Sequence, residues 1–462
     1  MRTNGLPNPV PNKRLRLDED TLVCDKYWLP AELIAHIISF FHFLHRPVFR
    51  LVSKKWYIAY DQYYNNSSFS DETHVDSRSV TRRQVVNAFA NYGHRLRWMH
   101  INTSTLREML DTAPTLASLI PNVTWLNVKV NDGLSSQRWI GGFVAKLCKL
   151  RSITIKEFGA TADEHLVGEM EKAIPGLPRL QKVDLSNIDL DSDAVPGPNM
   201  RRRASKMLQL VLPIANIAPG SVASTFAAFK SVTRLGFTGI SSANVLKEVT
   251  DMVTDDKNFS AMHKLDVHTT FDLSHAVPII NEEDGTTVTA MDLYLKICGI
   301  QRPKFELRVG FVLGACSTTN KALIKKEQEF VIKLGRIGAK VLVQLELTHY
   351  APAGEYDPLT TFFYYSAPRY PALQYLSNHV SPTTATGSRI IEALNNPFLL
   401  PHLIQAIFLV DGTQAKEWNW RFNPIKPSRG ATCSVIETRF EDHMRNLNER
   451  NGGVLDSWFS PN

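Results

Sequence analysis

Catalysis has little to work with in this chain of 462 residues. It contains no phosphate-cradling glycine loop, no nucleophile elbow and no zinc-peptidase histidine pair. His42-x-x-His45 has metal-ligand spacing, but no cysteine or acidic residue stands nearby to complete a site, and the pair reads as flanking a helix end. The five cysteines, Cys24, Cys148, Cys298, Cys316 and Cys433, are scattered without a C-x-x-C pair, so neither a zinc site nor a disulfide framework is expected, nor any cofactor. The remaining chemistry is that of binding. Trp98 and Trp125 stand at matching places in a recurring pattern, and Lys129, Lys156, Lys182, Arg234 and Lys264 occupy further places of the same kind against only Asp184 and Asp266. Two indoles beside a row of cations suit an acidic or phosphorylated peptide. The competing reading is a solvated sheet face with binding elsewhere.

The elements that would hold these residues recur along the chain. Apolar residues at positions one, four and six return as Leu96-Met99-Ile101, Val123-Leu126-Val128, Leu150-Ile153-Ile155, Leu180-Val183-Leu185, Met207-Leu210-Leu212, Val232-Leu235-Phe237 and Met262-Leu265-Val267. Their middle positions advance by 27, 27, 30, 27, 25 and 30 residues. Looser copies follow at Leu307-Val309, Leu342-Leu345-Leu347, Leu373-Leu376 and Ile404-Ile407-Leu409. Helical patterns lie between: Ile140, Phe143, Val144 and Leu147; a capping box at Thr161 and Glu164 before Leu166, Val167, Met170 and Ile174; and Val245, Leu246, Val249, Met252 and Val253. Strand alternating with helix predicts a parallel sheet with helices outside it, each unit buried against its neighbours. This L-x-x-L-x-L pattern resembles leucine-rich repeats in a degenerate form, because the family's asparagine appears as Asn131 alone, with Phe158, Ile188 and Ile240 in the equivalent places. The resemblance implies a curved solenoid over residues 90–412. Side chains between the core positions should face its concave side: Trp98, His100 and Asn102; Trp125, Asn127 and Lys129; Ser152, Thr154 and Lys156; Lys182, Asp184 and Ser186; Arg234 and Thr238; Lys264, Asp266 and His268; then Glu306, Arg308, Gln344, Glu346 and Tyr375.

A second module precedes the repeats. Between Leu29 and Trp56 the chain is too apolar for its length to stand uncovered. Pro30 suits a first helical position, Leu33, Ile37, Phe40 and Phe41 form one helix side, and Ile34 and Ile38 add a second. Pro47 opens another helix carrying Val48, Leu51, Val52 and Trp56, with Lys54 and Lys55 near its end. About 40 residues seldom bury enough surface to fold alone, so the surplus reads as a binding face. Leu29-Pro30, Glu32-Leu33, Ile37 and Leu51-Val52-Ser53-Lys54-Lys55-Trp56 resemble an F-box in type, order and spacing. The departure is at His45, Arg46 and Pro47, where the family has aliphatic residues. The resemblance implies docking on a Skp-type adaptor, and through it a cullin, by Leu29, Pro30, Glu32, Leu33, Ile37, Leu44, Val48, Leu51, Val52, Lys54 and Trp56. It also implies a substrate receptor of an SCF-type ubiquitin ligase, with transfer chemistry supplied by partner subunits. The alternative is a repeat scaffold that binds a Skp-type partner without promoting ubiquitination.

The fold expected is therefore α/β: a short all-α F-box followed by a leucine-rich-repeat solenoid with a curved parallel sheet and outer helices. Expected segments are a disordered basic tail (1–25), the F-box (26–65), a connecting helical segment (66–89), the solenoid (90–412) and a C-terminal cap or tail (413–462) bearing Trp418, Trp420, Phe422 and Trp458. A net charge of +7, spread rather than striped, gives no footprint for nucleic acid. The N-terminus lacks the apolar run of a secretory signal, and 398–410 is shorter than the roughly 20 residues of a membrane span. A soluble protein of the cytoplasm or nucleus is expected. Lys13-Arg14-Leu15-Arg16 has the form of a nuclear-import signal and Lys13-x-Leu15-x-Leu17 that of a cyclin-docking motif, though a solvated tail needs neither. Arg201-Arg202-Arg203-Ala204-Ser205 resembles a basophilic kinase site, or else a loop of solvated arginines.

Overall fold

The computed structural model describes Ile34, Ile37, Val52 and Trp56, and residues 67–70, 82–130, 138–157, 165–185, 196–214, 217–255, 257–280, 285–314, 320–349, 356–367, 369–378, 390, 392–394, 396, 398–410, 414–422 and 429–439. The chain divides into two compact units, Met1–Asn65 and Asn66–Asn462. In the first, Ile34, Ile37 and Trp56 are helical, and Ile34 is buried.

The second unit is built on one 14-stranded sheet. Its strands are β1 (Ser67–Ser70), β2 (Leu96–Asn102), β3 (Trp125–Val130), β4 (Ser152–Glu157), β5 (Lys182–Asp184), β6 (Gln209–Pro213), β7 (Arg234–Ile240) and β8 (Lys264–Asp272). After a two-stranded ribbon, β9 (Ile279–Ile280) and β10 (Thr287–Val288), the sheet resumes with β11 (Glu306–Leu313), β12 (Leu342–His349), β13 (Tyr375–Asn378), β14 (Gln405–Val410), β15 (Gln414–Phe422) and β16 (Arg429–Arg439). Apart from the ribbon, spatial order follows chain order, and every pairing from β1 to β14 is parallel. Parallel neighbours need a crossover, supplied by helices such as Thr103–Thr112, Arg138–Val144, His165–Ala173, Ala243–Thr254, Ala290–Cys298, Lys321–Gly338 and Pro358–Tyr365. The result is a mixed α/β architecture consistent with a curved repeat.

The apolar pattern sets the register. Met99, Leu126, Ile153, Val183, Leu210, Leu235 and Leu265 are Cα partners in succession across seven strands. The three core positions of each of those units are at most 5% exposed. A further apolar position, not read from the sequence as part of the repeat, lies three residues before six of the seven units: Ile120, Leu147, Leu177, Ala204, Phe229 and Phe259, each at most 3% exposed. Its carbonyl accepts the N–H of position one at 2.8–3.3 Å, which satisfies the backbone of a buried turn. The entry to each strand is also repeated. Thr124 N–H donates to Arg97 O, Arg151 to Thr124, Gln181 to Arg151, Leu208 to Gln181, Thr233 to Leu208 and His263 to Thr233, at 2.7–3.0 Å.

Two expectations change. Segment 66–89 is not only helical, because Ser67–Ser70 pairs with β2 before the helix Arg82–Tyr92 begins; buried Phe69 and Phe89 meet edge to face at 5.1 Å. The last copy is displaced by one residue: Leu376 pairs with Ala406, not Ile407, and the buried turn is Leu400-x-x-Leu403, leaving Ile404 half-buried. Since strand faces alternate with a period of two, that slip reverses the inward set. Within 413–462, the expected cap or tail, β15 and β16 continue the sheet in antiparallel fashion. The capping box at Thr161 and Glu164, and Asn131, Phe158 and Ile188, lie outside the described residues. A capping box that the sequence reading passed over joins Thr289 and Asp292 at the start of Ala290–Cys298.

Candidate functional site

Two rows of side chains cross the sheet face opposite the apolar core positions. In the first, Trp98, Trp125, Ser152, Lys182, Gln209, Arg234, Lys264 and Glu306 are successive Cα partners. In the second, His100, Asn127, Thr154, Asp184, Val211, Gly236, Asp266, Arg308, Gln344 and Tyr375 follow one another. Lys129 stands between Asn102 and Lys156 in a third row. The structure thus brings Trp98 and Trp125 side by side, but it does not leave the cations as one free stripe.

At the β7–β12 end the cations are paired with acids. Arg234 donates to Asp266 Oδ2 from Nε at 2.9 Å and from Nη2 at 2.6 Å, while Arg308 Nε lies 3.7 Å from Oδ1 of the same buried carboxylate. Burial alone would lower Arg234, but Asp266, Asp184 and Glu306 hold its guanidinium above the usual value. Lys264 pairs with Glu306 at 2.7 Å. Buried His268 lies 3.9 Å from Glu346, and its Nδ1 makes no hydrogen bond. Its pKa is depressed by burial, which outweighs the opposing pull of Glu346 and Asp266; Arg308 and Arg234 lower it further. Gly310 leaves the room that ring needs, since a Cβ there would collide with His268 Nδ1.

At the β2–β5 end the arrangement is open. The two indoles stack with centroids 4.2 Å apart and planes 19° from parallel. Lys182 Nζ lies 4.5 Å from the Trp125 ring centroid, reaching across Ser152. Trp98 is 44% exposed. Lys129 is buried, and Lys156 lies outside the residues whose side chains are described. Nothing in the sequence announces these differences residue by residue: the 25- to 30-residue spacing fixes which positions become neighbours as far as β8, but the longer step to β11 hid the pairing of Lys264 with Glu306.

No group of histidine, cysteine and acidic residues able to hold a metal occurs among the described residues, and His42 and His45 lie outside them. Cys148 is exposed; Cys298 is buried, with its thiol pushed up to about 12 by burial. Ser205 is exposed in a short turn, Ala204–Lys206, after the helix Pro198–Arg202. No described helix is long and apolar enough to cross a membrane.

Of the residues read as adaptor contacts, Ile37 and Trp56 are helical and half-buried, and Val52 is 58% exposed. Leu29, Pro30, Glu32, Leu33, Leu44, Val48, Leu51 and Lys54 lie outside the described residues. Residues 27–59 match the F-box domain family, a span that includes every one of these positions. No curated protein matches the chain significantly. F-box domains bind Skp-type adaptors, and the proteins that carry them are generally substrate receptors rather than catalysts. The chain therefore joins an F-box match to a long parallel-sheet α/β unit.

Proposed function

We propose that this protein is the substrate-recognition subunit of an SCF-type cullin-RING ubiquitin ligase. Its F-box docks the Skp-type adaptor through Leu29, Pro30, Glu32, Leu33, Ile37, Leu44, Val48, Leu51, Val52, Lys54 and Trp56. Its sheet-and-helix unit is a degenerate leucine-rich-repeat solenoid that holds a target protein in the cytoplasm or nucleus. The observation that carries this reading is the F-box match at residues 27–59 in a chain whose other compact unit is a regular parallel sheet. The mechanism is proximity: a bound target is held at high effective concentration beside a charged ubiquitin carrier supplied by the ligase. A scaffold that only binds the adaptor would share the first half of this description. Proteins whose turnover depends on the intact F-box and on the cullin separate the two. Expression of the chain with and without residues 27–59, under cullin inhibition, should shift the abundance of the same set of proteins; an unchanged proteome would leave the scaffold reading.

A further inference from the structure

Among the residues whose side chains are described, Trp98 is the one large apolar side chain exposed within a strand of the main sheet. An indole left in water on an ordered strand is a costly arrangement for a soluble surface and a frequent one for an interface anchor. It is also pre-organised. Strands β2 and β5 lie on opposite sides of β3, so Trp98 covers one face of Trp125 and Lys182 the other, with small Ser152 leaving the room. Little side-chain freedom remains to be lost when a ligand meets Trp98.

Charge then narrows the ligand. Arg234 is committed to Asp266 and Lys264 to Glu306, whereas no ion pair engages Lys182 among the described residues. Among the residues whose side chains are described, the ledge thus offers an apolar ring face next to the Lys182 ammonium. Arg234 spends Nε and Nη2 on Asp266 and Arg308 turns its Nε toward the same carboxylate, which draws both guanidinium groups away from the bidentate contacts that a phosphate dianion favours. One lysine matches one carboxylate.

We propose that Trp98, Trp125 and Lys182 form the target-docking ledge, and that its occupant is an unphosphorylated peptide segment that lays a proline or aromatic ring on Trp98 and directs an Asp or Glu carboxylate to Lys182. This rests on the receptor reading above and goes beyond it by assigning the site and the chemical class of the target. It also removes Lys129, Arg234 and Lys264 from target binding.

The test is selection of a random decapeptide display library on the full-length chain co-purified with a Skp-type adaptor. Enriched peptides should pair a ring residue with a nearby acid. The consensus peptide should bind Trp98→Ala about thirtyfold more weakly. Lys182→Gln should weaken binding and flatten its salt dependence, while Lys264→Gln leaves both unchanged. Phosphoserine in place of the acid should bring no gain. Enrichment of peptides without an acid, equal binding by Trp98→Ala and Lys182→Gln, a gain on phosphorylation, or no enrichment at all would overturn the proposal. Thermal unfolding of both variants controls for folding. Adaptor uptake, scored in the same preparations, keeps the two readings apart: an indifferent ledge on an adaptor-bound chain refutes the ledge alone, and failure to take up adaptor refutes the receptor reading.

Discussion

The two ends of the same sheet face use similar residues for opposite purposes. Around β7–β12, Arg234, Asp266, Arg308, Lys264 and Glu306 satisfy one another, and buried His268 is shielded beside them. Around β2–β5, Lys182 has an indole for a neighbour and Trp98 is left exposed. A row of cations is therefore not a binding surface by composition. What decides is whether a neighbouring strand supplies an acid within the cation's reach.

Substitutions at the two ends should diverge in kind. The largest effect on stability is expected from Asp266→Ala, which strips the shared carboxylate from two arginines; a loss of about 2–4 kcal/mol should appear in denaturant unfolding. Trp98→Ala, by contrast, should cost under about 1 kcal/mol of stability while weakening peptide capture about thirtyfold. If the two variants are equally unstable, the division between a structural end and a recognition end fails.

Gly310→Ala should come next, at about 1–3 kcal/mol, because the added methyl must displace the His268 ring from a packed site. The same histidine gives the paired end a pH signature. Its pKa is depressed in the folded state, so on acidification below about 6.5 the unfolded chain takes up a proton that the folded chain resists. Stability therefore falls with decreasing pH in that window, by up to about 1.4 kcal/mol per pH unit from this group. His268→Gln should flatten that part of the stability–pH curve, and an unchanged slope would show that other groups dominate it. The smallest effect belongs to Lys264→Ala, whose half-exposed pair with Glu306 is worth about 0–1 kcal/mol and should weaken further in high salt.

Much of this architecture was legible because one period governs both burial and register. Residues such as Met99, Leu126 and Ile153 declare their strands, and their spacing makes them partners. The period fails as a guide where residue types mislead. At the last repeat the small residue Ala406 is the inward one, while the larger Ile407 invited a reading one residue late. The strand at Ser67–Ser70 escaped notice because its only large apolar residue is Phe69. On the polar face, spacing gave the positions of Trp98, Lys182 and Asp266, but pairing across rows depends on side-chain reach. Arg234 finds Asp266 one strand over and two residues along, a contact that a row-by-row reading does not contain.

The central claim is that the module at residues 27–59 delivers whatever the sheet unit holds to a ubiquitin ligase. Its most direct test is the affinity of the full-length chain for a purified Skp-type adaptor, measured for the wild type and for Pro30→Ala with Leu33→Ala. The account predicts a stable wild-type complex and a loss of several kcal/mol in the double variant, since a helix start and an apolar anchor vanish from a small interface. Undiminished binding by the double variant, or no binding by the wild type, would contradict it.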